Sequence, residues 1–169
     1  VAACGVLALQ GDWHAHGEVL SALGCESLPV RTADDLDRVD RLVLPGGESS
    51  AMLRLMEAEG FAGRIVERIA AGMAVLATCA GVILLADRVE PEQTSLGALS
   101  VDVIRNAYGR QVFSTVEAVE VAPLLGSPSL MEAVFIRAPR IAAVGAGVDV
   151  LASWHDDPVM VRQGNILGV

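Results

Sequence analysis

Met73-Ala74-Val75-Leu76-Ala77-Thr78-Cys79-Ala80-Gly81-Val82-Ile83-Leu84-Leu85 is an apolar run of strand length that breaks at a cysteine among small residues and resumes at helical length. A strand that is apolar along its whole length is covered on both faces, the habit of parallel sheets. Where such a strand turns sharply into a helix only small neighbours fit, and the turn lifts its central side chain clear of the sheet. The helix start offers free N–H groups and the positive end of the helix dipole, which favour a thiolate over a thiol. A lone cysteine is more often a buried structural residue. The strand–Cys–small–Gly–helix context makes Cys79 a candidate nucleophile instead.

The same alternation continues on either side. Ala3 to Leu9 reads as a strand closed by Gln10-Gly11. Asp12 to Leu23 reads as a helix, with Val19, Leu20 and Leu23 at helical spacing, Asp12 as N-cap and Gly24 as a stop. Ser27 to Arg31 and Arg41 to Leu44 are further strands, the second ended by Pro45-Gly46-Gly47. Ser49 to Glu59 and Phe61 to Ala71 read as helices punctuated by Gly60 and Gly72, and Ala80 to Arg88 as another. After Leu96 the pattern becomes strand-rich, with Val101–Ile104, Val116–Val121, Ala133–Arg137, Val148–Ala152 and Val159–Arg162. The expectation is an α/β domain spanning residues 1–169. It has three layers, α/β/α, with a central, mainly parallel sheet and an antiparallel extension formed by the later strands.

Composition narrows the function. Of 169 residues 53% are hydrophobic and 20% charged, which excludes disorder. Aromatics are only 4%, so Val, Leu, Ile and Ala must build the core. All twelve basic residues are Arg, set against twenty-one acidic ones, for a net charge of −9. No basic stripe offers itself to nucleic acid. The absence of Lys excludes a Walker-type phosphate loop and a lysine Schiff base within this chain. Cys4, Cys25 and Cys79 are odd in number and widely spaced, which suits reduced thiols in the cytoplasm better than a disulfide framework. No His/Cys/Asp cluster has metal-ligand spacing, so no metal and no cofactor is expected. No apolar run reaches the length of a membrane span.

Two more segments end strands where ligands of open parallel sheets sit. Pro45-Gly46-Gly47-Glu48-Ser49 brings glycines to a strand–helix junction, where backbone can approach a ligand and aim N–H groups at developing negative charge. Taken alone, such a loop is more often an ordinary turn. Arg105-Asn106-Ala107-Tyr108-Gly109-Arg110-Gln111 groups guanidinium and amide side chains that can clamp a carboxylate, although alone it reads more readily as a solvated loop.

Together with Val6-Leu7-Ala8-Leu9-Gln10-Gly11 and Val134-Phe135-Ile136-Arg137-Ala138-Pro139, these segments resemble the glutaminase subunit of pyridoxal 5′-phosphate synthase. That family belongs to the class I glutamine amidotransferases, of flavodoxin-like fold. The resemblance implies hydrolysis of L-glutamine to L-glutamate and ammonia, the ammonia passing to a separate barrel-shaped synthase subunit. It implies Cys79 as the nucleophile of a glutamyl thioester. Gly47, Glu48 and Ser49 would line the substrate, the Gly47 region and the Ala80 N–H would form the oxyanion hole, and Arg105, Ile136 and Arg137 would hold the unreactive end of glutamine.

The chain departs from the family pattern in three places. Ala77 stands where the family usually has Gly, and Val112-Phe113-Ser114-Thr115-Val116-Glu117 replaces a Val-Asp-Ser-Phe-Glu run. The family's His-Pro-Glu segment, which supplies the catalytic base, falls after the strand matching Met160 to Leu167 and has no counterpart before Val169. The domain is thus expected to lack that catalytic segment. None of His14, His16 and His155 is expected to replace it: His14 and His16, two apart on a helix, point to different faces, and His155 lies in the polar turn Trp154-His155-Asp156-Asp157. The competing readings are a cysteine-elbow stress protein or deglycase-like enzyme, and a non-catalytic interaction module. The former usually needs an acidic residue at the end of the first strand, where this chain has Gln10-Gly11.

Overall fold

The computed structural model describes residues 3–57, 60–107, 114–123, 129–136 and 138–169. Four short strands, β1 (Cys4–Leu7), β2 (Ser27–Val30), β3 (Arg41–Leu44) and β4 (Ala74–Ala77), lie in the order β4-β3-β1-β2 and run parallel. Between them come helices α1 (Trp13–Ala22), α2 (Ala33–Leu36), α3 (Ser49–Glu57) and α4 (Phe61–Ala70). After β4 the chain forms α5 (Ala80–Leu85), then β5 (Ala86–Glu90), β6 (Leu99–Ile104), β7 (Thr115–Val121), β8 (Ser129–Phe135) and β9 (Arg140–Val144). It closes with β10 (Asp149–Trp154), β11 (Asp157–Gln163) and β12 (Ile166–Gly168).

β12 pairs parallel with β4, and β11 and β10 follow antiparallel, giving a seven-stranded sheet. The two faces of the parallel strands are read off their alternation. Leu7, Leu42, Leu44, Val75 and Ala77 point to one side, where Met52, Met56, Phe61, Ile65 and the apolar run of α5 complete the main core. Cys4, Val6, Val43 and Leu76 point to the other, against Trp13 and Leu20 of α1. Fully apolar strands are thus covered on both sides, as the three-layer reading requires.

Three expectations are corrected. Only β10 and β11 form the antiparallel extension; the intervening strands build a β5-β6-β9 sheet and a β7-β8 ribbon. Val89, Leu99, Val101, Val103 and Ile141 join the main core, while Val119 and Val121 cover Leu151, Ala152 and Met160 of the extension. The helix expected to run to Arg88 ends at Leu85, where Ala86 turns extended (φ −57, ψ 153) and begins β5. Finally, α1 sends Leu20 toward the sheet but leaves Val19 and Leu23 exposed, so only part of its apolar pattern marks a buried face.

Candidate active site

β4 ends at Ala77 and α5 begins at Ala80, so Thr78 and Cys79 make the whole turn. The Thr78 N–H donates to the Leu44 carbonyl at 2.9 Å, and the Cys79 N–H to the Val169 carbonyl at 2.9 Å. On the helix side the Gly81 and Val82 N–H groups reach back to the carbonyls of Thr78 (2.8 Å) and Cys79 (3.0 Å). Held from both sides, Cys79 adopts φ 49, ψ −104. A sparsely populated backbone conformation of that kind costs about 1–3 kcal/mol and persists only where the surroundings over-determine it. Gly81 is required by packing: a Cβ there would collide with the Leu44 carbonyl oxygen, and its absence lets α5 sit directly on the end of β3.

Facing the turn is the loop after β3. A Cβ placed on Gly46 would lie 3.5 Å from the Cys79 Cβ, so backbone passes close to the thiol. At Gly47 a Cβ would meet Gln10 Oε1 at 2.6 Å and the Gly11 Cα at 2.9 Å, which leaves no room for a side chain. Gln10, at the carboxyl end of β1, accepts the Glu48 N–H at 2.7 Å.

Glu48 itself caps α3. Its carboxylate accepts the N–H groups of Ala51 (2.7 Å) and Ser50 (3.3 Å) and the Ser50 hydroxyl (2.9 Å), and its carbonyl accepts the Met52 N–H. Partial burial works against ionisation, but these hydrogen bonds and the charge of Arg105 outweigh it and hold the Glu48 carboxyl below the usual range. Arg105 Nη2 lies 3.2 Å from Glu48 Oε1. Ser49 is buried, its hydroxyl donating to Gln93 Oε1 at 3.1 Å.

Cys79, Gly47, Glu48, Ser49, Arg105 and Ile136 thus line one cavity of about 420 Å³, brought together from four separate stretches of chain. Ala80 is buried at the first position of α5, directly after the cysteine. Arg137 lies outside the described residues, as do Tyr108 to Phe113. Gln10, Ile83 and Asn106 complete the lining, and the sequence reading did not assign them to the site. Gln10 had a usable signal, its place at the carboxyl end of a parallel strand. A second cavity, of about 290 Å³, opens on the other side of Cys79 among Val82, Val119, Phe135, Pro158 and Val169.

The histidines divide. His14 stacks on Trp13 with ring centres 3.6 Å apart, and His155 packs against Trp154 at 4.3 Å. His16, not expected to serve as the catalytic base, places its Nε2 3.3 Å from Thr78 Oγ1, one residue from Cys79.

The pyridoxal 5′-phosphate synthase subunit PdxT of Thermotoga sp. strain RQ2 is 51% identical over 164 residues, covering 96% of this chain and 86% of the relative. PdxT of Tropheryma whipplei strain TW08/27 is 45% identical over 166 residues, with the same coverage of each chain. A crystal structure of a glutamine amidotransferase superposes with a TM-score of 0.90 at 44% identity, over 99% of this chain and 88% of the other. The structure of PurLQS from Thermotoga maritima, at 18% identity and a TM-score of 0.72 over 99% and 85%, shares the fold. Residues 6–169 match the SNO glutamine amidotransferase family. A match over nearly the whole chain, with relatives half identical to it, settles the membership: this chain belongs to the SNO glutamine amidotransferase family.

Proposed function

We propose that the chain is the glutaminase subunit of a pyridoxal 5′-phosphate synthase, releasing ammonia from L-glutamine for a barrel-shaped synthase partner in the cytoplasm. The observation that carries the reading is the 420 Å³ cavity, lined by both a thiol and an opposed charge pair. The unreactive end of glutamine bears both an ammonium and a carboxylate. Arg105 can take the carboxylate bidentately and Glu48 the ammonium, so the substrate replaces one ion pair by two. Its side-chain amide then extends toward Cys79.

In the chemical step the Cys79 thiolate forms a C–S bond to the amide carbon. The oxygen gathers negative charge, which backbone N–H groups at Gly47 and Ala80 would stabilise. Collapse breaks the C–N bond, and the nitrogen must receive a proton, because NH₂⁻ cannot leave unassisted. Water then cleaves the thioester to glutamate and regenerates the thiol. For the proton donor we propose a histidine following Val169, as in the family's His-Pro-Glu segment. The Val169 carbonyl accepts the Cys79 N–H, so residues continuing from there would start beside the thiol.

The test is ammonia release from glutamine by the chain continued with the family's His-Pro-Glu segment, with and without the synthase partner, beside Cys79→Ala in the same chain. Partner-stimulated release that vanishes in the variant supports the reading. Absence of release in the complex, with the complex intact, would instead leave a non-catalytic interaction module.

A further inference from the structure

Every backbone hydrogen bond described at the Thr78–Cys79 turn comes from the sheet or from α5, and such bonds are available to any sequence in this fold. One side-chain tie is different. Thr78 Oγ1 and His16 Nε2 lie 3.3 Å apart and join the turn to α1, in the layer on the opposite face of the sheet from α5. Strand alternation sends the Thr78 side chain to the same face as Leu76, the face that α1 covers, while Cys79 turns toward the cavity. His16 is half-buried. Desolvation keeps its pKa below the ordinary imidazole value although Asp12 pulls it upward. A neutral imidazole carries one N–H and one bare nitrogen, and a threonine hydroxyl can bond to either.

We propose that His16 is a positioning residue for the glutaminase reaction, fixing through Thr78 the turn that aims Cys79 into the cavity. This rests on the function proposed above. The strained conformation of Cys79 needs restraint on both sides of the turn, and His16 supplies the side-chain restraint from the face that α5 does not touch. Arg105 and Glu48 stand apart from this tie, so its loss should slow attack by the thiol and leave glutamine binding unchanged.

The experiment measures inactivation by an electrophilic glutamine analogue, 6-diazo-5-oxo-L-norleucine, which alkylates the thiol and separates the maximal rate from the half-saturating concentration. Glutamine kcat and KM are measured in parallel in the complex with the synthase partner. Misplacing a reacting group by about 1 Å costs up to roughly 10²-fold. His16→Ala and the isosteric Thr78→Val should therefore each lower the maximal rate about tenfold or more at constant half-saturation. The double variant should lose no more than either alone, since both break the same tie. His16→Gln, which can still reach the hydroxyl, should recover most of the rate.

Wild-type rates in both single variants, or additive losses in the double, would overturn the proposal. If His16→Ala does not fold, Thr78→Val and His16→Gln decide by the same criteria. A wild-type protein that the analogue does not label removes the glutaminase reading, and this inference with it. A labelled wild type with unaffected variants removes the positioning role alone.

Discussion

Arg105 is paired with Glu48. In the proposed reaction it would give up Glu48 to take a substrate carboxylate, so its net value for binding would be a difference between two charged hydrogen-bond arrangements. Arg105→Ala should raise KM for glutamine by an amount at the low end of the 1.5–3 kcal/mol expected for a charged hydrogen bond, with kcat nearly unchanged. Steady-state kinetics on the complex check this; a normal KM with a collapsed kcat would contradict the assignment. Glu48 adds a pH signature. Its folded pKa lies below the ordinary 4.5, so the stability it contributes is fully present above that value and is lost as pH falls through the folded one. The difference in unfolding free energy between wild type and Glu48→Gln, followed by denaturant titration, should therefore shrink below pH 4.5. A difference that stays level to low pH would mean that the carboxylate is not preferentially stabilised.

Among the elements, α5 has least freedom. All six of its residues are buried, and it meets β3 through Gly81 with no space for a methyl group. Gly81→Ala must push the helix off the sheet or bend the Leu44 carbonyl away, a form of overpacking that costs about 1–3 kcal/mol. Thermal melts should register that loss. Because Cys79 directly precedes the helix, labelling of the thiol should slow as well. A variant with wild-type melting and labelling would show that the layers can slide without cost. The end of this helix was not legible in the sequence. Ala86-Asp87-Arg88-Val89-Glu90 has too few apolar residues to choose between helix and strand, and pairing of β5 with β6 decides for strand.

For the molecule as a whole, the seven-stranded sheet carries both ends of the candidate reaction to its carboxyl edge. β1 delivers Gln10, β3 delivers the glycine loop, β4 delivers Cys79, and β12 delivers Val169 beside the thiol. Any segment attached after Val169 would therefore start beside Cys79. A chain continuing with the family's His-Pro-Glu segment should release ammonia about 10²–10⁴-fold faster than residues 1–169, the usual value of positioned acid–base catalysis. Both proteins should be saturated with the synthase partner for the comparison. Equal rates would place the proton donor within residues 1–169.

Read alone, the order of amino acids settles what is local. Apolar runs such as Ala74 to Ala77 demand burial on both faces, and small residues around Cys79 demand a sharp turn. The Gly46-Gly47 pair demands close backbone approach. Those demands are enough for a mainly parallel α/β domain with Cys79 at a strand–helix turn, while the roles of Glu48, Ser49, Arg105 and Ile136 came only with the family resemblance. Partnership between distant segments belongs to the tertiary structure. Short strands such as β6 and β7 carry no mark saying which sheet they will join, because alternation reports burial and not the identity of the neighbour. Nothing in the segment around Glu48 announces that α3 starts on it or that Arg105 closes on it from fifty-seven residues away. His16 looks like a surface residue until packing of α1 brings its ring to Thr78, sixty-two residues on. Such contacts arise where two layers close on one strand end, and no spacing within either segment encodes the meeting.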